Sequence, residues 1–138
     1  MNDKAFFDTN VLVYVIGQKD ERTSLSEALI AGGGVVSVQV LNELVAVARR
    51  KLGMTWEDIG EAVAAIRMLC PSPVSLTMET HEAALRVAEK YGYHIYDALI
   101  IASALEAGCV TLYSEDLQDG QVIDGRLTIR NPFARGAR

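Results

Sequence analysis

Four carboxylates in this sequence, Asp8, Glu43, Asp97 and Asp116, occupy positions where a plain surface charge is not the simplest explanation. Asp8 follows the apolar run Ala5-Phe6-Phe7 and precedes Thr9-Asn10; Asp116 closes the stretch Val110-Thr111-Leu112-Tyr113-Ser114-Glu115. An acid that ends an apolar, β-prone run sits at the C-terminal edge of a strand, where open α/β sheets bind their ligands. Asp97 stands in the first turn of the most apolar helical stretch of the chain, Tyr96–Ala107. The free amides of a helix start favour a carboxylate, so capping is the simple reading of Asp97. Yet a charge on a buried helix needs a partner, and its sequence neighbours offer none of opposite sign. Glu43 lies within Val40-Leu41-Asn42-Glu43-Leu44-Val45, beside the inward-facing stripe that Val40, Leu44 and Val47 define on a helix. Taken singly, each acid reads as a cap or a solvated charge. Together they point to one site.

Carboxylates that converge repel one another, so a proton or a cation must compensate. Oxygen-only donors select hard cations, and a few carboxylates with retained waters suit Mg²⁺ or Mn²⁺. Such a site can clamp a phosphodiester, lower the pKa of a water and stabilise the leaving oxygen. No histidine or lysine nucleophile is required, and no triad stands out. His81 and His94 lie outside the acidic motifs and read as surface or helix-end residues. Gly32-Gly33-Gly34 is not followed by the Lys-Ser/Thr of a phosphate loop, and a helix stop accounts for it. Arg49-Arg50-Lys51 carries two readings: positive charge favoured at a helix C-terminus, or, with Arg130 and Arg135, a grip on a phosphate backbone. Trp56 and Phe6 read as packing residues.

The elements that must position these acids alternate along the chain. Lys4–Phe7 predicts a strand, and Val11–Ile16 the start of a helix. Ser24-Leu25-Ser26-Glu27 fits a capping box that opens a helix ending at the glycine triplet. Val35–Val38 reads as a buried strand, Gln39 to about Arg50 as a helix, and Thr55-Trp56-Glu57-Asp58 as the start of another running through Met68. Pro71 and Pro73 stop it before a strand candidate at Val74–Leu76. Glu79–Tyr91 is amphipathic, with Ala83, Ala84, Val87 and Ala88 facing inward. Tyr96–Ala107 is apolar all round and so central; Cys109–Tyr113 is β-rich, and a last strand falls near Leu127–Ile129. Strands alternating with helices predict an α/β domain, a central, mainly parallel sheet covered on both faces. No repeat, linker or low-complexity stretch divides the 138 residues, so one domain is expected over 1–138, with its core at about 4–133.

Composition supports a self-sufficient core: half of the residues are hydrophobic and 22% are charged. Cys70 and Cys109 are far apart without a CxxC pattern, which argues against a disulfide framework or a zinc site. Met1-Asn2-Asp3-Lys4 lacks signal-peptide regions and no apolar run spans a bilayer, so a cytoplasmic protein is expected, not a membrane one. A net charge of −5 opposes a nucleic-acid partner at first sight. One or two bound Mg²⁺ would bring it to −3 or −1, so net charge alone does not decide the partner.

Phe7-Asp8-Thr9-Asn10-Val11-Leu12, Leu41-Asn42-Glu43-Leu44, Tyr96-Asp97-Ala98-Leu99-Ile100 and Ser114-Glu115-Asp116-Leu117 together resemble the PIN-domain pattern, in order, spacing and surroundings. The resemblance runs from about Lys4 to Phe133, and the length and the Leu117–Pro132 ending resemble the VapC-type toxins of bacterial toxin–antitoxin pairs. It implies a PIN-like three-layer α/β/α fold and a Mg²⁺- or Mn²⁺-dependent endoribonuclease acting on RNA, usually a homodimer, held inactive by a cognate antitoxin protein. By position it implies that Asp8 and Asp97 are direct metal ligands, that Glu43 and Asp116 complete the pocket, and that Thr9, Asn10 and Ser114 orient ligands or phosphate. For the family's less fixed extra acid the candidate is Asp119, with Glu115 turned away by strand alternation and solvated.

Three other readings stand beside it. A PIN-like nuclease of RNA processing, unlinked to an antitoxin, would use the same acids. A phosphatase or phosphotransfer domain would use Asp8 as nucleophile. Asn10, however, stands where haloacid-dehalogenase-like phosphatases place a second acid, and no lysine partner is evident. A non-catalytic docking module would not need four intact acids.

Overall fold

In the computed structural model, which describes residues 4–17 and 19–134, the first apolar run forms strand β1 (Ala5–Phe7), with Phe6 and Phe7 completely buried. Asp8 ends it and caps α1 (Thr9–Ile16), its side chain accepting from the Thr9 N–H. Helices α2 (Glu21–Ala31), α3 (Val38–Arg50), α4 (Trp56–Leu69), α5 (Met78–Tyr91) and α6 (Ile95–Glu106) follow, then strands β2 (Thr111–Tyr113), β3 (Val122–Ile123) and β4 (Leu127–Arg130). The strands form one sheet in the order β1-β2-β4-β3. β1 pairs parallel with β2, β2 pairs parallel with β4, and β3 pairs antiparallel with β4. Helices flank this mainly parallel sheet, as the apolar strands and alternating elements predict. Among the described residues, no helix is long and apolar enough to cross a membrane.

Helix α6 is buried without a break from Ala98 to Ala104 and forms the centre of the core with Phe6, Val11, Leu112 and Ile129. Burial of that whole segment on one rigid helix fixes where its first turn, and hence Asp97, points. Cys70 and Cys109 are free and buried, two small apolar fillers. Phe6 is likewise a core residue. Trp56, expected to pack, is instead 63% exposed, its ring lying 5.0 Å beneath the Arg49 guanidinium.

Other expectations are also revised. Helix α2 opens earlier than Ser24: Asp20 is its cap, forming a capping box with Thr23. Val35–Val38 and Val74–Leu76 do not form full strands, because Ser37 already caps α3 and leaves only a short extended segment before Val38 turns helical. That segment still continues the sheet beyond β1 through parallel bridges Phe6↔Val35 and Ser37↔Val74. Gly34 permits the approach: a Cβ there would fall 2.5 Å from a Phe7 ring carbon and 2.8 Å from the Ala5 carbonyl oxygen. Strand β3 was not anticipated. It pairs back through a turn at Asp124-Gly125, both with positive φ, closed by the Arg126 N–H to the Ile123 carbonyl at 3.0 Å. The turn is anchored to α5, where the Tyr91 hydroxyl donates to Asp124 Oδ1 and accepts from the Asp124 N–H, each at 2.9 Å.

Candidate active site

Parallel pairing brings the ends of β1 and β2 to the same edge, with Phe7 opposite Tyr113. The residues that follow therefore meet. The Asp8 N–H donates to the Tyr113 carbonyl at 3.0 Å, and the Ser114 hydroxyl donates to Asp8 Oδ2 at 2.7 Å. Ser114 Oγ also accepts the N–H groups of Asp116 and Leu117, both at 3.2 Å, which folds the chain after β2 back over the strand end. Asn10 on α1 spans the same junction. Its Nδ2 lies 3.3 Å from Asp8 Oδ2, 3.3 Å from Asp116 Oδ2 and 3.5 Å from Ser114 Oγ, and its Oδ1 accepts the Glu115 N–H at 3.0 Å. Thr9 donates its N–H to Asp8 Oδ1 at 2.7 Å and its hydroxyl to Glu43 Oε1 at 3.0 Å. Glu43 reaches the group from α3, and Gln39 one turn earlier donates to its other oxygen at 3.0 Å.

Asp97 arrives from the first turn of α6 and does not cap it: among the described residues nothing donates a hydrogen bond to its carboxylate. Burial raises its pKa first, then the charges of Glu43 and Asp116, while His94 at the helix N-cap position pulls it back. His94 is thus the neighbour of opposite tendency that local sequence did not suggest. The α5–α6 connection is held against the loop carrying Asp116 by Tyr93, whose hydroxyl donates to Gln121 Oε1 and accepts the Gln118 N–H. Asp8 is only 4% exposed. Burial pushes its carboxyl from 3.8 to about 6, against the lowering effect of its bonds to Ser114 and the Thr9 N–H and with a further rise from Glu43 and Asp97.

All side-chain donors to these acids are neutral. Among the described residues, no lysine, arginine or histidine forms an ion pair with Asp8, Glu43, Asp97 or Asp116. The acids share an unbalanced negative field, and the donor set is all oxygen, which suits a hard cation. They do not form a closed cage: among the described residues, no three His, Cys, Asp or Glu side chains are placed to hold one ion between them. Mg²⁺ does not require such a cage, since it retains waters and is commonly held through one or two carboxylates. The donor chemistry therefore fits a divalent cation.

Two of the acids, Glu43 and Asp116, line a cleft of about 430 Å³ between α1, α3 and the loop after β2. Thr9, Asn10, Arg50 and Lys51 line it with them. Arg49 separates from its two neighbours, donating to the Met54 carbonyl at 2.9 Å and covering Trp56. Arg130 extends β4, and Arg135 lies outside the described residues. Asp119 accepts the Asn131 N–H at 2.8 Å, a loop-closing bond. Glu115 is not simply solvated: Arg22 pairs with it at 2.9 Å and the Tyr14 hydroxyl donates to it at 2.8 Å. Sequence reading did not include Gln39 in this group, although its position one turn before Glu43 was the signal for the contact. A second depression of about 500 Å³, between α5, α6 and the β3–β4 turn, contains none of the four acids.

A sheet whose parallel strand ends present Asp8 and Asp116, joined by Glu43 and Asp97 from two helices, is the arrangement of a PIN domain. The PIN domain family model matches residues 5–118, and the chain belongs to that family. Among solved structures it is similar to VapC20 of Mycobacterium tuberculosis, a sarcin–ricin loop cleaving toxin, with a TM-score of 0.65 and 23% identity over 82% of this chain and 90% of that one. A toxin–antitoxin complex from Klebsiella pneumoniae gives a TM-score of 0.71 at 19% identity, covering 94% of this chain and 98% of that one. VapBC2 of Rickettsia felis, bound to a DNA fragment from its promoter, gives 0.66 at 19% identity, covering 92% and 97%. At these identities the likeness is one of fold. No curated protein matches by sequence.

Proposed function

We propose that this PIN-domain protein is a divalent-metal-dependent endoribonuclease, the toxin of a toxin–antitoxin pair. The observation that carries the reading is the group of four acids without an ion-pair partner among the described residues, two of which, Glu43 and Asp116, line a cleft together with Arg50 and Lys51. Asp8 and Asp97 are assigned as direct ligands of Mg²⁺ or Mn²⁺, and Glu43 and Asp116 as the acids that complete the pocket. When bound, the cation supplies Lewis acidity at the scissile phosphate and lowers the pKa of the attacking water. Ser114, Thr9 and Asn10 hold the carboxylates in place. Arg50 and Lys51 receive the phosphates flanking the cut, while Arg49 is assigned to the fold. Asp119, whose carboxylate accepts the Asn131 N–H, is left outside this assignment.

The toxin reading is supported by the fold shared with VapC20 and with toxin–antitoxin complexes at nearly full length. The chain then acts in the cytoplasm as one catalytic unit with its core at about 4–133, bound by an antitoxin encoded beside it. Exposed apolar side chains on the stretch from α4 to α5, Met68, Leu69, Leu76 and Met78, support a homodimer, which gel filtration tests directly.

The decisive experiment replaces Asp97 by Asn, which keeps the size and removes the charge. Asp97→Asn should abolish Mg²⁺-dependent RNA cleavage while circular dichroism shows the fold retained. Normal cleavage by that variant would sink the mechanism.

A further inference from the structure

Glu43 is held differently from the other acids: its two carboxylate oxygens each accept a separate neutral side-chain donor. Thr9 Oγ1 lies 3.0 Å from Oε1 and Gln39 Nε2 lies 3.0 Å from Oε2. Thr9 comes from α1, next to Asp8, and Gln39 from α3, one turn before Glu43 and only 9% exposed. A buried amide must place its hydrogens, and this one places one of them on an acid of the site. Helix initiation does not need it, because Ser37 caps α3 through the Val40 N–H.

The identity of the residue matters. An arginine or lysine at position 39 would orient the same carboxylate but would also supply a counter-charge and compete with a cation. A glutamine amide cannot ionise, so it fixes direction and leaves the negative charge in full. Each oxygen also keeps a lone pair for another partner, because a carboxylate offers about four acceptor sites.

We propose that Gln39 is a positioning residue of the metal site: with Thr9 it clamps the Glu43 carboxylate toward the cleft without neutralising it. This rests on the reading of the four acids as a divalent-cation site. Partners of this kind around ligating carboxylates typically change metal affinity by about 10–100-fold when removed. Gln39 carries that role through Glu43, not by touching substrate.

The test is Mn²⁺ calorimetry on the full chain without RNA, so that affinity is read independently of cleavage. Gln39→Met keeps the length and apolar stem and removes the donor. It should weaken Mn²⁺ binding by about 10-fold, and Thr9→Val, which removes the donor to the other oxygen, should do likewise. In a Glu43→Gln background, Gln39→Met should cause no further loss. Unchanged affinity in Gln39→Met and Thr9→Val, or an equal loss with and without the Glu43 carboxylate, would overturn the positioning role. Absence of Mn²⁺ binding by the unaltered chain would overturn the metal-site reading and the proposal with it, an outcome seen before any variant is made.

Discussion

Glu115 and Asp116 are adjacent in sequence and belong to two neighbouring carboxylate groups that are balanced in opposite ways. On the Glu115 side, Arg22 lies between two acids, 2.7 Å from Asp20 and 2.9 Å from Glu115, with its guanidinium 4.5 Å from the centre of the Tyr14 ring. Tyr14 donates to Glu115 and meets Phe133 edge-on at 5.2 Å. Arg22 holds the Asp20 carboxyl below its ordinary value, and burial followed by Glu115 pushes the Tyr14 phenol up to about 12. This group is closed, and it ties α2, α1 and the post-β2 loop together. On the Asp116 side, Asn10, Ser114, Thr9 and Gln39 orient the carboxylates, and none of them brings a charge. The difference separates the two sets: one is paired within the fold, while the other is touched, among the described residues, by neutral donors only, which is what the proposed cation site would require.

The largest effect should come from removing the most deeply buried charge of the open group, Asp8. Asp8 has a folded pKa of about 6 against an ordinary 3.8, so between those values the native state binds more protons than the unfolded one. Stability from this group is therefore fully present below about pH 4 and lost as pH rises through about 6. Without divalent metal, Asp8→Asn should unfold at higher urea than the parent at pH 7, by on the order of 2–3 kcal/mol, with the gap closing toward pH 4. The same variant should lose RNA cleavage and any stabilisation by Mn²⁺. A variant no more stable than the parent at pH 7 would show that the acid cluster is balanced after all.

A smaller and opposite effect is expected from the closed group. Arg22→Met leaves Asp20 and Glu115 without their shared partner, so the melting temperature should fall at neutral pH. Because the pair is partly exposed, the gap to the parent should narrow in high salt. It should also narrow as pH drops through the lowered Asp20 pKa, where the parent loses the same stabilisation. Mn²⁺ affinity should change far less than in Asp8→Asn. A loss as large as that of Asp8→Asn would join the two groups into one.

The open group was far more legible in sequence than the closed one. An acid at the end of Ala5-Phe6-Phe7 declares its strand edge locally, and the unbroken apolar run after Asp97 declares a central helix. Arg22 and Glu115 are 93 positions apart, and no local pattern relates them. Strand alternation does not govern Glu115 and Asp116, which lie past the end of β2 and line the same cleft, and solvation was expected for Glu115 where an ion pair exists. The start of α2 was misread for a related reason: Asp20-x-x-Thr23 and Ser24-x-x-Glu27 are both plausible caps, and the structure uses the one whose acid Arg22 also holds. Asp124-Gly125 is a strong hairpin signal, yet β3 is so short that periodicity around it carries no weight. Gln39 was readable from its spacing to Glu43, since one helical turn puts the amide beside the acid.

Tyr14 provides the finest division between the two groups, because it lines the cleft beside Asp116 while its hydroxyl serves Glu115. Tyr14→Phe removes that one bond and keeps the ring under Arg22 and against Phe133. A typical hydrogen bond contributes about 0.5–1.5 kcal/mol net. The cost here should fall at the lower end, since Glu115 keeps Arg22 and faces the open cleft. Urea denaturation measures that loss, while calorimetry should find Mn²⁺ affinity unchanged. If affinity instead moves with the hydroxyl, Glu115 belongs to the cation site, and Arg22 is the charge that restrains it.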